Sequence, residues 1–466
     1  MSTKLQDVRT DFDWQPQPAA AELVGDLLAR CIQSNPHIKT LGQRMRDETG
    51  TRLVDWIDSI TLPHQTSMHE RLAQAGYESD LLNRDVWRHL DGLFPPIHFI
   101  DSANAVRDQG DAPLSLAIKV TCVDDFAAAM PNVAAAEIHG AVGSQFRTCA
   151  LSHDQGTQLV AIERHGWPGF RAPDDDPHKI AAAAKHRHVL ASRPRGCPSD
   201  HEGFNLAEQL FDDAAADLGR DWACDLFFAA ERDYWMGRNA AARVQYGRQQ
   251  SLGLGWGNHD HHTYRNGREN FATLIALLER MGFECRERFY AGREAGWGAQ
   301  VLEQPAAGVV IFADVDLTPE EVAGDFAHQP LEPQEHLGTV GLWCKLHGEA
   351  FLQAGMHHLE CQFDFDAVRP QLAAIGVETM TPFTDWAHLK QAFTKGEVWP
   401  VQPERVEAAL ANQFITPEQA AQFRRDGALG SHLEILERND GFKGFNQTGI
   451  SEIITRTDPR RQSVGA

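Results

Sequence analysis

The chain has 466 residues, 42% of them hydrophobic and 23% charged, the make-up of a globular protein large enough for several structural units. Its formal net charge of −22 leaves no excess of basic groups for a nucleic acid or an anionic membrane surface. No apolar run approaches the roughly 18 residues of a membrane span, and the eight cysteines include no Cys-x-x-Cys pair, so reduced thiols in a cytoplasmic protein are expected rather than a disulfide framework.

Residues 1–112 read as a helical N-terminal region. The opening MSTKLQDVRTDFDW is polar and mixed in charge, without the basic-then-apolar pattern of a secretory leader. Apolar residues recur at helical spacing over 19–32, the stretches 69–75 and 85–93 have the same character, and Pro95-Pro96 closes the region. Residues 113–250 read as a degenerate, metal-free βαβββ-like module followed by a linker and helices. Here 114–123 and 158–164 are strand-like, 171–200 is the linker, and 204–250 is helical. Asp174, Asp175 and Asp176 lie between Pro173 and Pro177 and read as a solvated acidic loop. Phe227, Phe228, Tyr234 and Trp235 read as helix packing.

Residues 251–466 are the most regular. A strand at 261–265 leads into an amphipathic helix over 270–281, which stops at Gly282. Strands follow at 286–290, 299–303 and 308–314, completing a βαβββ unit. A second unit opens with a strand at 358–363, a helix at 366–375 and a strand at 378–383. It is interrupted by a helical insertion over 386–430 and ends in a strand at 432–438. The expected fold class is α+β: paired βαβββ modules forming a cup-shaped mixed sheet, with a helical N-terminal extension and a helical insertion.

Three of these strands carry the chemistry. Side chains alternate faces along a strand. His261, Thr263 and Arg265 therefore share one face; His358, Glu360 and Gln362 share another; His432, Glu434, Leu436 and Arg438 share a third. An inward polar face is costly in an ordinary core, but suits a sheet that encloses a metal and a polar substrate. Two imidazoles and a carboxylate, His261, His358 and Glu434, form the ligand set that suits non-heme Fe(II) and leaves coordination positions open. Other divalent metals are compatible with it. His262, His357 and Glu437 are the alternatives if the register slips by one, and His259 falls on the His261 face by alternation. Arg265 is placed to grip a substrate carboxylate with its guanidinium fork. Glu360, Gln362 and Arg438 are candidates for supporting or catalytic roles on the same faces.

The His261-x-x-x-Arg265 run, His358-Leu359 and Glu434-Ile435-x-x-Arg438 resemble the 2-oxoadipate dioxygenase/decarboxylase (hydroxyglutarate synthase) branch of the vicinal oxygen chelate superfamily. That resemblance implies His261, His358 and Glu434 as metal ligands and Arg265 as carboxylate anchor. The stretch LEILER with Gly441-Phe442-Lys443-Gly444-Phe445-Asn446 also resembles 4-hydroxyphenylpyruvate dioxygenase. That implies Phe442, Phe445 and Asn446 near the substrate and a covering helix over 447–454. The resemblance spans roughly 255–455 and weakly 112–170. The expected function is a Fe(II)-dependent dioxygenase that decarboxylates or hydroxylates a 2-oxo acid, with a small carboxylate and dioxygen as partners. A metal-dependent isomerase or lyase with Glu360 as base, and a non-catalytic ligand-binding protein, are the alternatives. NHDHH lacks the H-E-x-x-H spacing of a zinc hydrolase, and Gly253-Leu254-Gly255-Trp256-Gly257 precedes a strand, unlike a dinucleotide loop.

Overall fold

The computed structural model describes residues 13–100, 114–130, 137–293, 295–446 and 457–461. The chain is α+β and builds two mixed sheets from four βαβββ-type modules, the fourth with one additional strand. In the first module β1 (Ile57–Pro63) is followed by the helix Thr66–Gln74 and by β2 (Tyr77–Ser79), β3 (Val86–His89) and β4 (Ile97–Ile100). In the second, β5 (Leu114–Lys119) precedes the helix Val123–Ala129, β6 (Ile138–His139), β7 (Phe146–Asp154) and β8 (Thr157–Arg164). Together they make an eight-stranded sheet ordered β2-β3-β4-β1-β5-β8-β7-β6. The expected helical region therefore ends early. Its helices Pro18–Ser34 and Pro36–Arg44 exist, but 57–100 is a complete βαβββ unit. β2, β3 and β4 have only three or four residues each, too few to display a period of two.

The third module has β9 (His259–Arg265), the helix Phe271–Arg280, β10 (Glu284–Tyr290), β11 (Trp297–Gln304) and β12 (Val309–Asp316). The fourth has β13 (His358–Gln362), the helix Phe365–Ala374, β14 (Thr384–Trp386), β15 (Leu389–Phe393), β16 (Glu397–Trp399) and β17 (Ala428–Arg438). The second sheet runs β10-β11-β12-β9-β13-β17-β15-β14, with β16 pairing beside β17. The insertion is shorter than expected. The β14–β15 hairpin is part of the sheet, and only 400–427 departs from it, as the helices Pro403–Ala411 and Pro417–Asp426. Residues 378–383 contribute a lone bridge, Thr379 to Thr394, rather than a strand.

One face of the second sheet is covered by helices. Leu359, Cys361, Leu433 and Ile435 turn to that side and join a core with Leu274, Ile275 and Leu278 of the helix Phe271–Arg280. That helix buries positions one turn apart because its apolar residues recur at three and four. Helices Pro177–Ala191, Asp200–Leu218, Arg220–Gly237 and Ala240–Gln250 link the two sheets. Glu231, 1% exposed, accepts from Arg193 (2.8 Å) and Arg195 (2.6 Å), and Trp235 donates to Ser431 Oγ at 2.7 Å. Gly430 permits this packing: a Cβ there would lie 2.0 Å from the Trp399 ring. Its carbonyl accepts from Trp343 Nε1 and His357 Nδ1, at 2.9 and 3.0 Å. Among the described residues no helix is long and apolar enough to cross a membrane.

Candidate metal centre

The other face of the second sheet is polar at its centre. β9 and β13 are antiparallel neighbours, with His358 opposite Thr263, and β17 lies on the far side of β13, with Glu434 opposite Glu360. This register brings one donor atom each from His261, His358 and Glu434 within 4.8 Å of one another, all three residues buried. His358 Nε2 lies 3.0 Å from Glu434 Oε2 and 2.8 Å from Thr263 Oγ1. The alternatives fall elsewhere. His262 faces the helices, with Nε2 3.3 Å from Arg232, and Glu437 accepts the Phe365 backbone N–H. His357 lies at the cavity edge, tied to the Gly430 carbonyl.

A β-bulge shapes the site. The β9–β13 register shifts between Leu359 and Cys361, so Asp260 and His261 together face Glu360. Alternation therefore misplaces His259: its ring lies 5.2 Å from His262, on the opposite face to His261. The same bulge admits Asp260, which alternation assigns to the wrong face. Asp260 Oδ1 lies 3.3 Å from His261 Nδ1, and Glu360 contacts the same nitrogen. Arg438 donates to both Asp260 oxygens at 3.0 and 3.1 Å, and Gln362 donates to one at 3.0 Å. Gln391 of β15 donates to Glu360 (3.0 Å) and Glu434 (3.1 Å). Glu360, Gln362 and Arg438 thus brace the site from behind rather than line the cavity. Carboxylates behind a ligating imidazole orient it and raise its basicity.

The electrostatics follow from burial. Desolvation opposes charge on His261, but Glu360 and Asp260 outweigh it and raise the group to about 8. Burial, reinforced by His261, holds His358 well below the usual imidazole range, so it is neutral with a lone pair to offer. Burial, and then the neighbouring Glu360, push Glu434 well above the carboxylate range. Arg438 is committed to Asp260 and reaches Glu360 only at 4.0 Å. Two buried carboxylates, Glu360 and Glu434, thus sit together with no guanidinium of their own. A divalent cation would supply the missing positive charge, and the donor set of two imidazoles and a carboxylate fits one.

Beside these donors lies a cavity of about 110 Å³ walled by Phe289, Trp297, Phe312, Phe393 and Phe445. Arg265 and Asp314 also line it. Arg265 is 4% exposed, and its Nε and Nη1 have no partner. The helix Thr339–His347 packs behind it, with the Trp343 ring 5.8 Å from the guanidinium. Of the three residues expected near a substrate, Phe445 meets Phe312 edge to face, with ring centroids 4.4 Å apart, and lines the cavity, as does Asn446. Phe442 does not. It packs with Leu389 and Leu436, 4.4 Å from the His388 ring. The covering helix expected over 447–454 lies outside the described residues. Sequence reasoning missed Asp260, Asp314 and Gln391. A single acid at the end of GVVIFAD was the available signal for Asp314, and Gln391 was hidden inside the supposed helical insertion.

No protein-family model and no curated protein matches this chain. Among solved structures it is similar to methylmalonyl-CoA epimerase from Mycobacterium tuberculosis, at 14% identity over 39% of this chain and 88% of that one, TM-score 0.23. It is similar to a mutant of 4-hydroxymandelate synthase from Streptomyces coelicolor, at 12% identity over 74% of this chain and 97% of that one, TM-score 0.29. A third is a xylose isomerase-like TIM barrel/4-hydroxyphenylpyruvate dioxygenase fusion protein, at 9% identity over 88% of this chain and 52% of that one, TM-score 0.22. Likenesses this distant carry no statement about activity.

Proposed function

We propose that this protein is a non-heme Fe(II)-dependent dioxygenase of the vicinal oxygen chelate class, acting on a small 2-oxo acid. The observation that carries the reading is one shared cavity: His261, His358 and Glu434 on its floor, and the buried, unpartnered Arg265 in its wall. His261, His358 and Glu434 are the metal ligands in this reading. When bound, Fe(II) supplies the redox chemistry with dioxygen that no side chain here can provide.

The chain's own residues bind, orient and exclude water. Arg265 takes a substrate carboxylate, since a buried guanidinium whose Nε and Nη1 donors are unmet gains from an anionic acceptor. It lies two residue pairs along β9 from His261, on the same face, so the substrate spans the distance between them. Asp260 and Glu360 hold the His261 ring from its Nδ1 side. Gln391 holds one oxygen of Glu434 and leaves the other toward His358. Phe312, Phe393 and Phe445 keep the space between dry. Asn446, held by Thr384 Oγ1 at 2.8 Å, supplies a polar group at the cavity's edge.

The test combines metal content with oxygen uptake. Protein produced with iron and purified without oxygen is expected to hold about one iron per chain and to consume oxygen only with a 2-oxo acid. Turnover with nickel, cobalt or manganese and no oxygen uptake would instead indicate an isomerase or lyase. Retained affinity for a small acid without any metal would indicate a binding protein.

A further inference from the structure

Asp314 has no place in the reading so far. It sits on β12, which runs parallel to β9 and pairs Asp314 with Arg265, so the two side chains project into the cavity side by side. Asp314 is 3% exposed, and its Oδ1 has no hydrogen-bond partner. Arg265 leaves two donors unpaired beside it. No ion pair within 4.0 Å joins them among those the structure records. A buried acceptor and buried donors, adjacent but not consuming one another, are both expensive to leave unmet. A ligand that presents an acceptor to one and a donor to the other meets both. Paired residues on neighbouring strands start about 4.8 Å apart and line one cavity, so a small ligand whose two groups lie close together can meet both.

We propose that Asp314 is a specificity-determining residue: it selects a substrate whose Arg265-bound carboxylate is flanked by a hydrogen-bond donor, in the simplest case a hydroxyl. This rests on Arg265 as the anchor of a second, distal carboxylate and narrows the substrate class to a 2-oxo acid with a hydroxyl beside that distal carboxylate. A plain alkyl acid would leave Asp314 buried against hydrocarbon with its acceptor unmet. A hydroxyl next to the carboxylate is placed to donate to it, while the carboxylate accepts from Arg265. Asp316, two residues on, is not part of this arrangement, because it accepts the backbone N–H groups of Gly338, Val340 and Gly341 at 2.7, 3.1 and 3.0 Å.

The experiment is calorimetry with matched probes, malate against succinate and glycolate against acetate, on anaerobic iron-loaded protein. At pH 8.5, where the Asp314 carboxyl, raised by burial to about 7, is ionised, wild type is expected to bind the hydroxylated member roughly tenfold to a hundredfold tighter, the effect of a hydrogen bond to a charged group. Asp314→Ala should abolish that preference, and Asp314→Asn, nearly identical in shape, should reduce it while preserving the fold. Glu434→Ala controls for chelation of the hydroxy acid by metal, and it should retain the preference. Equal binding of both members by wild type, binding of neither, or a preference lost in Glu434→Ala but kept in Asp314→Ala overturns the proposal. Metal analysis and oxygen uptake on the same samples report separately on the dioxygenase reading: a wild type that discriminates through Asp314 but takes up no iron would sink that reading alone, and iron-dependent uptake by a wild type that does not discriminate would sink this one alone.

Discussion

The two sheets have the same plan and opposite chemistry. In each, a pair of βαβββ modules meets through antiparallel central strands, β1 with β5 and β9 with β13, and each junction has a shift in register. Taking Thr61–Ser115 as the counterpart of Thr263–His358 and counting along the strands, His261, His358 and Glu434 correspond to Ser59, Ser115 and Val160. Glu360 corresponds to Ala117. Ala117 and Val160 pack with Phe146 and Ile162, so the face that gathers imidazoles and carboxylates in the second sheet carries two serines and an apolar cluster in the first. Topology alone therefore supplies curvature and a place for donors. The donors are a separate decision, made at three positions on one face.

The largest effect expected from breaking this contrast is at the donors themselves. His261→Ala or Glu434→Ala should remove bound iron by elemental analysis and lower oxygen uptake at least about 10³-fold, since a ligand is lost outright. Ser59→Ala and Ser115→Ala at the matching places should leave both unchanged. Arg265→Ala should keep its iron but raise the substrate KM about a hundredfold in steady-state kinetics. Asp260→Asn should weaken iron binding by about ten- to a hundredfold in chelator competition, the usual effect of losing the group behind a ligating imidazole.

A smaller effect is expected where the two halves are joined. His165, just after β8, lies 3.1 Å from Glu163 and 2.8 Å from Asp225 of the helix Arg220–Gly237. Burial opposes its charge, but the two carboxylates raise it from 6.5 to about 9. A raised imidazole contributes its stability in full below 6.5 and loses it as pH rises through about 9. Urea titrations from pH 6 to 10 should show stability falling by up to about 3 kcal/mol. In His165→Gln that slope should flatten. A slope unchanged in the variant would show that His165 does not couple the halves in this way.

Legibility in the sequence tracked strand length and regularity. The third module was readable because its helix Phe271–Arg280 and its seven- or eight-residue strands are long enough to show a period. β5 and β8 showed only continuous apolar character, because both of their faces are buried. The first module was invisible because its last three strands are stubs. At the site, His261, His358, Glu434 and Arg265 could be placed on one face because alternation holds over Thr263 to Arg265 and over β13 and β17. It fails at the bulge, where Asp260 was lost and His259 misassigned. Gln391 and Asp314 were not recognised because a single polar residue in an apolar strand has no pattern around it; only the partner strand reveals its purpose.

Arg438 ties the site to the order of synthesis. One edge of its guanidinium holds Asp260, 178 residues earlier in the chain, and Nη1 also donates to the carbonyls of Phe442 and Gly444 at 3.2 and 2.6 Å. The wall that carries Phe445 is thus fastened through the last strand of the second sheet to the first. A ribosome must release nearly the whole polypeptide before these partners can meet, and contacts so distant in sequence form slowly. The cavity is therefore among the last features to be completed, and a nascent chain stopped short of β17 lacks Glu434 as well as the clasp, so a half-made protein could not assemble the proposed metal site.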